Sequence, residues 1–191
     1  MATTPELYFE NDQLWTDWLD VHHATNDGVY LIFYKLECNI PTMRWEEAVK
    51  VALCYGWIDS TVKSLGNGKR RQYFCPRKPK SVWSKVNKGY VEELIATGRM
   101  KPSGLKAIQI AKENGSWTAL DEVEAGIIPP DLQQAFDNNP QAYKNYSAFS
   151  FSYQKNYLYW LNQAKREETR QKRITAIIDL CRASLKSRGG R

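Results

Sequence analysis

The pattern of hydrophobic and polar positions predicts mixed helices and strands at the front of the chain. After Asn11 and Asp12, which suit a helix cap, apolar residues recur at helical spacing over about residues 12–24. They do so again over residues 45–53, at i, i+3, i+4, i+7 and i+8. Between these two helices, residues 28–36 (GVYLIFYKL) form an almost unbroken apolar run. Its length and aromatic content are typical of a strand buried on both faces.

A β-hairpin is predicted next. Residues 57–65 (WIDSTVKSL) are rich in β-branched side chains, and residues 70–76 (RRQYFCP) form a second run of strand type. Gly66, Asn67 and Gly68 separate them, and these residue types tolerate the positive φ angles of a tight hairpin turn. The front of the chain is therefore expected to contain a small three-stranded sheet with helices packed on it.

Strand signals end near Arg77, and the remaining chain has helical periodicity. Helices are predicted over about 86–97, 102–114, 130–136 and 152–164, with a short helix after Pro140 and a long one from Glu167. Residues 116–129 are expected to form a loop, and residues 187–191 a frayed tail. The predicted fold class is α+β, with residues 1–79 as the helix–strand–helix–hairpin part. Residues 80–191 form the helical part and are expected to share one core with it.

Composition narrows the environment of the protein. No apolar run approaches the ~20 residues that cross a bilayer, so we expect no membrane insertion. The first residues lack the basic and apolar regions of a secretory signal. Four widely spaced cysteines show neither CxxC nor Cys/His spacing, which favours reduced thiols over disulfides or zinc. We therefore predict a cytoplasmic protein without cofactors; the sequence leaves its oligomeric state open.

Positive charge is concentrated in two blocks. Residues 60–88 carry nine Lys or Arg residues and no acid, and residues 154–191 carry ten cations against three acids. Such blocks either meet an anionic partner or are solvated surface. The sequence does not decide whether the two blocks form one face.

Four motifs occur in order along the chain: ALCYGWIDS, PRKPKSVWSKVNK, GRMKPSGLKAIQIAKENGSWTALD and AKREETRQKRI. Together they resemble the YdeI/OmpD-associated family, also called the bacteriocin-protection family, from about Trp15 to Leu185. The resemblance implies a cytoplasmic protein with an α+β front and a helical back, linked to bacteriocin or stress protection. It implies no reaction and no catalytic residues.

The first basic block is the main candidate for a binding site, and several readings of it remain open. Cations and alternating aromatic side chains on a hairpin suit nucleic acid or a phosphate-bearing ligand, but they also suit a solvated edge that resists aggregation. In the stretch that follows, the serines and the indole either form an anion site or serve as helix caps and a buried anchor. The candidate ligand-binding residues are Trp57, Asp59, Arg71, Arg77, Lys80, Ser81, Trp83, Ser84 and Asn87.

Two alternatives concern chemistry and partners. An enzyme acting on a small phosphorylated or acidic substrate would need a pocket joining Asp59, Ser84 and Arg77; otherwise Asp59 is expected to form an ion pair with Arg71 or Arg77. A nucleophilic Cys54 beside His22 is a further hypothesis, opposed by a buried structural thiol. We interpret the chain as non-catalytic, with no metal site.

The second basic block suggests a protein-interaction module. Arg166, Arg170 and Arg173 recur at i, i+4 and i+7 and therefore share one face of a helix. That face can meet an acidic protein partner, or its charges can be paired and solvated within the protein.

Overall fold

The computed structural model describes residues 4–186, and the predicted frayed tail lies outside these residues. The chain divides into two compact units, Met1–Thr118 and Ala119–Arg191. The boundary predicted after residue 79 falls inside the first unit, because the two helices that follow the hairpin contribute buried residues to the core of that unit. The expectation that both predicted parts share one core stays a prediction.

The first unit contains four strands and four α-helices among its described residues. In chain order they are β1 (Glu6–Tyr8), α1 (Asp12–His22), β2 (Val29–Tyr34), α2 (Trp45–Cys54), β3 (Trp57–Gly66), β4 (Lys69–Pro76), α3 (Lys85–Ala96) and α4 (Pro102–Glu113). Asn11 caps α1, as predicted, by accepting a hydrogen bond from the Leu14 amide at 3.1 Å. The predicted helices and strands of this unit are thus confirmed to within a few residues at each end.

The sheet has four strands rather than the predicted three, in the order β1-β2-β4-β3. The missed strand, β1, runs parallel to β2, with Glu6 opposite Tyr30 and Tyr8 opposite Ile32. Three residues are too few to show the alternation by which a strand is recognised in a sequence. The remaining pairs are antiparallel. The prediction of three strands was therefore wrong by this one edge strand.

The hairpin between β3 and β4 forms where the sequence predicted it. Asn67 and Gly68 both have positive φ, 48° and 69°, as a two-residue turn of type I′ requires. The register of β3 shifts between Asp59 and Val62 and again between Ser64 and Gly66. The β3 residues are exposed from Ser60 onward, whereas β4 remains paired with β2 up to Lys69.

Aromatic rings form the centre of the core of the first unit. Trp15 packs edge-on against Trp57 and Phe74, with ring centroids 6.3 and 5.9 Å away, and its indole N–H donates to the Ala48 carbonyl at 3.2 Å. Four predicted stripe residues of α2 are fully buried here: Ala48, Val49, Ala52 and Leu53. Large rings with satisfied polar atoms bury much apolar surface, which anchors α1 and α2 to the sheet.

The second unit is helical. Its described elements are α5 (Asp121–Glu124), α6 (Pro130–Asp137), α7 (Pro140–Ala148), α8 (Phe151–Asn162) and α9 (Glu167–Arg182). The predicted loop over 116–129 contains the short helix α5, which is only one turn long and gives no periodic signal. The predicted inward residues Ile174, Ile177, Ile178 and Cys181 of α9 are buried with Leu132, Phe136 and Tyr157. No helix within residues 4–186 combines the length and the hydrophobicity needed to span a membrane.

Gly104 gives a stability test of the contact between α4 and α2. A Cβ atom at Gly104 would lie 2.3 Å from the Cys54 carbonyl oxygen, whereas one at Gly89, in α3, would meet nothing within 4 Å. We expect Gly104→Ala to lower the free energy of unfolding by about 1–3 kcal/mol through overpacking. The matched Gly89→Ala should raise it by about 0.5–1 kcal/mol through helix propensity. Urea unfolding monitored by circular dichroism measures both, and equal effects would contradict the close contact.

Candidate anion-binding site

The regular alternation of β4 separates the predicted ligand-binding residues. Asp59 pairs with Phe74 and therefore lies on the same face of the sheet as Phe74. Arg71 is three residues from Phe74 along β4, and an odd spacing in a strand places a side chain on the opposite face. The structure therefore does not bring Arg71 and Asp59 together.

Arg71 is occupied on its own face of the sheet. Its guanidinium forms an ion pair with Glu6 of β1 and lies over the ring of Tyr30, 4.4 Å from the centroid. The carboxylate and the ring together account for the position of this side chain. Through these contacts Arg71 connects β4 to β2, which carries Tyr30, and to β1, which carries Glu6.

Asp59 and Trp57 contribute to structure on the helical face of the sheet. The Asp59 carboxylate accepts hydrogen bonds from the indole of Trp45, at 2.9 Å, and from the side-chain amide of Gln72. Among the described residues it forms no ion pair within 4 Å, so the predicted pairing with Arg71 or Arg77 was wrong. Trp57 lies in the core, and its indole donates to the His23 carbonyl at 3.1 Å.

After the hairpin, hydrogen bonds made by Ser81 and Ser84 determine the course of the backbone. Ser84 caps α3, as predicted, by accepting from the amide of Asn87 at 3.2 Å. The Ser81 amide donates to the Lys78 carbonyl at 2.9 Å, which closes a turn, and Lys80 is exposed on this turn. The turn and the cap fix the path that carries Trp83 into the core.

Arg77 and Trp83 are the two predicted residues that meet in a cavity. The guanidinium carbon of Arg77 lies 3.6 Å from the centroid of Trp83, and an Arg77 Nη atom donates to the Val82 carbonyl at 3.3 Å. Trp83 is only 1 % exposed and also packs on Trp117, with centroids 5.0 Å apart. Its ring is therefore a wall of the cavity and not a surface plate for stacking a base.

The cavity, here called the Arg77 pocket, has a volume of about 200 Å³. Three of its lining side chains are cationic and none is acidic. The lining consists of Gly56, Arg77, Lys78, Pro79, Trp83, Ser103, Lys106, Ala107 and Ile110. Ser103 lies in the first turn of α4, where the positive end of the helix dipole adds to the positive potential.

The pocket contains polar atoms that the protein leaves unsatisfied. Nε of Arg77 and Oγ of Ser103 are buried and have no hydrogen-bond partner among the described residues. Burial lowers the pKa of Arg77 to about 10, and the negative charge of Asp59 acts in the opposite direction. The guanidinium is thus still cationic near neutral pH, and no described carboxylate lies within 4 Å of it. A half-buried guanidinium with a buried, unbonded Nε and no carboxylate in direct contact is unusual, because native proteins normally pair such groups.

The α4 side of the pocket was missed by the sequence analysis. Ser103 and Lys106 belong to a helix that begins about 25 residues after Arg77 along the chain. Gly56 makes the approach possible, because a Cβ atom there would lie 3.0 Å from the Ser103 carbonyl oxygen, and its φ of +76° also favours glycine. No local pattern signals this close approach of the turn before β3 to the start of α4.

Cys54 and His22, the alternative nucleophile pair, have other partners. The Cys54 thiol donates to the Lys50 carbonyl at 3.3 Å, and burial raises its pKa. His22 packs on the ring of Trp18, with centroids 4.7 Å apart. A raised pKa leaves the thiol protonated near neutral pH, which is the unreactive form.

In the second unit, two of the three candidate partner-binding arginines are engaged within the unit. Arg170 contacts both carboxylate oxygens of Asp131, with Nη2 2.8 Å from Oδ1. The hydrogen bonds from Arg170 lower the pKa of Asp131. Arg173 donates to the Trp160 carbonyl and lies 5.2 Å from the centroid of that ring. Arg166 immediately precedes α9 and is exposed.

The comparisons with known proteins follow the same division of the chain. The first unit is an α+β module with a basic pocket, and residues 7–107 match the family described as a domain of unknown function, DUF8412. Because this match spans more than half of the chain, the protein belongs to that family. Residues 125–184 match the family described as bacteriocin-protection, YdeI or OmpD-associated. This match confirms the resemblance, over a shorter stretch than the four motifs suggested. No curated protein and no solved structure matches the chain.

The Arg170–Asp131 contact leads to a stability prediction for the second unit. We expect Arg170→Met to lower the free energy of unfolding by about 1–3 kcal/mol, because it removes two charge-assisted hydrogen bonds to a half-buried carboxylate. The matched control is Lys172→Met, which removes an exposed i,i+4 pair with Glu168 and should cost about 0.5 kcal/mol or less. Thermal unfolding of both variants tests this. An Arg170→Met protein as stable as the control would leave Arg170 available for a partner.

Proposed function

We propose that the protein is a non-catalytic binding protein whose Arg77 pocket holds a small phosphate-bearing ligand. The observation that carries the proposal is the guanidinium of Arg77, which is cationic and contacts no carboxylate of residues 4–186. Within the same residues, its Nε and the Ser103 hydroxyl of the pocket are both buried and have no hydrogen-bond partner. Leaving a buried donor unpaired costs about 1–3 kcal/mol, and more for a charged group. A bound anion offsets that cost.

The chemistry of the lining favours a phosphate over a monocarboxylate. Arg77, Lys78 and Lys106 supply three positive charges, which exceed the single charge of a carboxylate. A phosphate monoester carries up to two charges and three strong acceptor oxygens. Guanidinium groups bind such oxygens with well-directed hydrogen bonds, and the Ser103 hydroxyl adds a donor.

The size of the pocket favours a small molecule over the nucleic acid considered from the sequence. A volume of about 200 Å³ accommodates a phosphate group with a short organic portion. Ala107, Ile110 and the buried ring of Trp83 provide an apolar wall for that portion. Stacking of successive bases requires exposed rings, which Trp83 does not provide.

The enzyme alternative receives less support from the geometry. Among the described residues, neither Asp59 nor Ser84 lines the pocket. Asp59 accepts two hydrogen bonds elsewhere, and Ser84 serves as a helix cap. The two residues predicted for catalysis beside Arg77 are thus occupied elsewhere, which supports a binding role for the pocket.

The cellular role that we propose follows the description of the family matched by the second unit. A cytoplasmic protein that binds a phosphorylated metabolite can couple the concentration of that metabolite to bacteriocin or stress protection. The four free cysteines fit a reducing compartment. Under this proposal, cells that carry an Arg77→Met protein are as sensitive to bacteriocin as cells that lack the protein.

Ligand binding is tested by calorimetric titration with inorganic phosphate and with glycerol 3-phosphate. We expect Arg77→Met to weaken binding at least tenfold, because a charge-assisted hydrogen bond contributes about 1.5–3 kcal/mol. Ser103→Ala should weaken it less, because it removes a neutral donor. The matched control is Lys63→Met, which removes an exposed cation of β3 outside the pocket and should leave affinity unchanged.

Protein stability separates a ligand-binding role of Arg77 from a structural one. Without ligand, Arg77→Met should leave the free energy of unfolding within about 1 kcal/mol of the original, because the lost contact with Trp83 is offset by removal of an unpaired buried charge. Phosphate should raise the Tm of the original protein and not that of the variant. Equal phosphate stabilisation of both proteins would overturn the proposal.

A further inference from the structure

A second cavity lies at the free end of the hairpin and shares no lining residue with the Arg77 pocket. This hairpin groove has a volume of about 680 Å³. It is formed by the end of β2, the start of α2 and the turn between β3 and β4. Its lining consists of Tyr34, Lys35, Leu36, Arg44, Val62, Ser64, Gly66, Asn67, Gly68, Lys69 and Arg70.

The charge of the hairpin groove is positive and largely uncompensated. Lys35, Arg44, Lys69 and Arg70 line it, and no acidic residue does. Among the described residues, Lys35 alone of these four has a carboxylate within 4 Å of its side-chain cation, at 3.9 Å, and both members of that pair are highly exposed; Glu47 accepts from the backbone amide of Arg44. By comparison, Lys50 in α2 is paired with two glutamates. The groove is therefore suited to a partner that supplies carboxylates.

The exposed apolar side chains that line the groove are aliphatic. Leu36 and Val62 are 63 % and 57 % exposed. The ring of Tyr34 lies edge-on against Tyr8, with centroids 5.5 Å apart, and Phe33 is buried. A nucleic acid strand would find phosphate-binding cations here, but among the described lining residues the ring of Tyr34, which is half-buried and in contact with Tyr8, is the one aromatic surface for its bases. The methylene groups of glutamate side chains, in contrast, match the aliphatic surface of the groove while their carboxylates reach the cations.

β3 presents an unpaired edge beside the groove. Within residues 4–186 it pairs only with β4, so its other side offers free backbone N–H and C=O groups. The β3 residues that line the groove are Val62, Ser64 and Gly66, which is every second residue. A peptide strand added to this edge would project every second side chain over the groove, because the side-chain period of a strand is two.

We propose that β3 binds an extended acidic peptide segment of a partner protein by strand addition. Every second residue of the peptide is acidic, and these carboxylates lie over Arg44 and Arg70, while Lys69, which strand alternation places on the opposite face of β4, adds to the positive potential of the hairpin. The intervening residues are aliphatic and pack on the opposite side, against Leu65, which is partly exposed. A second copy of this chain is a poor occupant, because pairing of two identical β3 edges would bring the positive charge of Lys63 in one copy towards that of the other.

The proposal is tested by fluorescence anisotropy with a labelled heptapeptide in which glutamate and valine alternate. We expect saturable binding that weakens as salt is raised, and no binding of the lysine/valine counterpart. A peptide methylated at every second backbone nitrogen, on the edge that faces β3, should bind at least tenfold more weakly. Strand addition uses those N–H groups, whereas a purely electrostatic contact does not.

Charge-reversal variants locate the binding surface. Lys69→Glu combined with Arg70→Glu should weaken peptide binding at least tenfold. The matched control combines Lys165→Glu with Arg166→Glu, two adjacent exposed cations before α9 in the second unit, and should leave affinity unchanged. Circular dichroism and phosphate binding at the Arg77 pocket should be the same for both double variants, which separates this proposal from the proposed function.

Three results would overturn the proposal. The first is a flat titration of the glutamate/valine peptide. The second is equal binding of the backbone-methylated peptide. The third is tighter binding of a labelled twelve-residue oligothymidylate than of the peptide, together with a loss of oligothymidylate affinity in the Lys69→Glu/Arg70→Glu variant. That result would assign the groove to nucleic acid.

Discussion

The two-residue period of β4 is the constraint on which the arrangement of the first unit depends. β4 pairs with β2 on one side and β3 on the other, so its alternation is imposed on both neighbours. Phe74 and Gln72 face the helices, and Phe74 packs against Trp15 in the core. Arg71 faces the other side and holds β1 through Glu6. A shift of one residue would exchange these side chains, turning Arg71 to the helical face and removing Phe74 from the core.

The two proposed sites differ in how far their cationic groups are exposed to water. At the Arg77 pocket a guanidinium is partly removed from water, so the cost of its charge is high and a single well-placed anion offsets much of it. At the hairpin groove the cations remain hydrated. Each contributes little alone, and affinity there requires several contacts together with backbone hydrogen bonds. The first geometry suits a small ligand and the second suits a chain.

Arginines of similar appearance in the sequence have unlike roles in the fold. Arg170 and Arg173 lie on one face of α9 but have different partners. Arg170 forms an ion pair with Asp131, and Arg173 donates to the Trp160 carbonyl near the end of α8. Both arginines therefore stabilise contacts between helices of the second unit. Long cationic side chains can serve structure or recognition equally well, and only the position of a neighbouring carboxylate or carbonyl distinguishes these uses.

Local signals predicted much of the secondary structure. The apolar run of β2, the stripe of α2, the Asn67-Gly68 turn and the Ser84 cap each depend on residues within about ten positions of one another, and each was confirmed. Arg77 and Trp83 were singled out because basic and aromatic residues cluster there. The three-residue strand β1 and the one-turn helix α5 were missed, because elements of that length have no period to detect.

Tertiary structure alone decided which of these residues meet. The sequence determined that residues 60–88 are basic and contain no acid, but not that Arg71 would pair with Glu6 or that Arg77 would contact no carboxylate in the part of the chain that the structure describes. It offered Asp59 as a counter-ion, and the sheet instead placed Asp59 beside Trp45 and Gln72. The reason is physical: helix and strand formation is governed by near neighbours along the chain, whereas the burial and pairing of a charge depend on residues that only folding brings within a few ångströms.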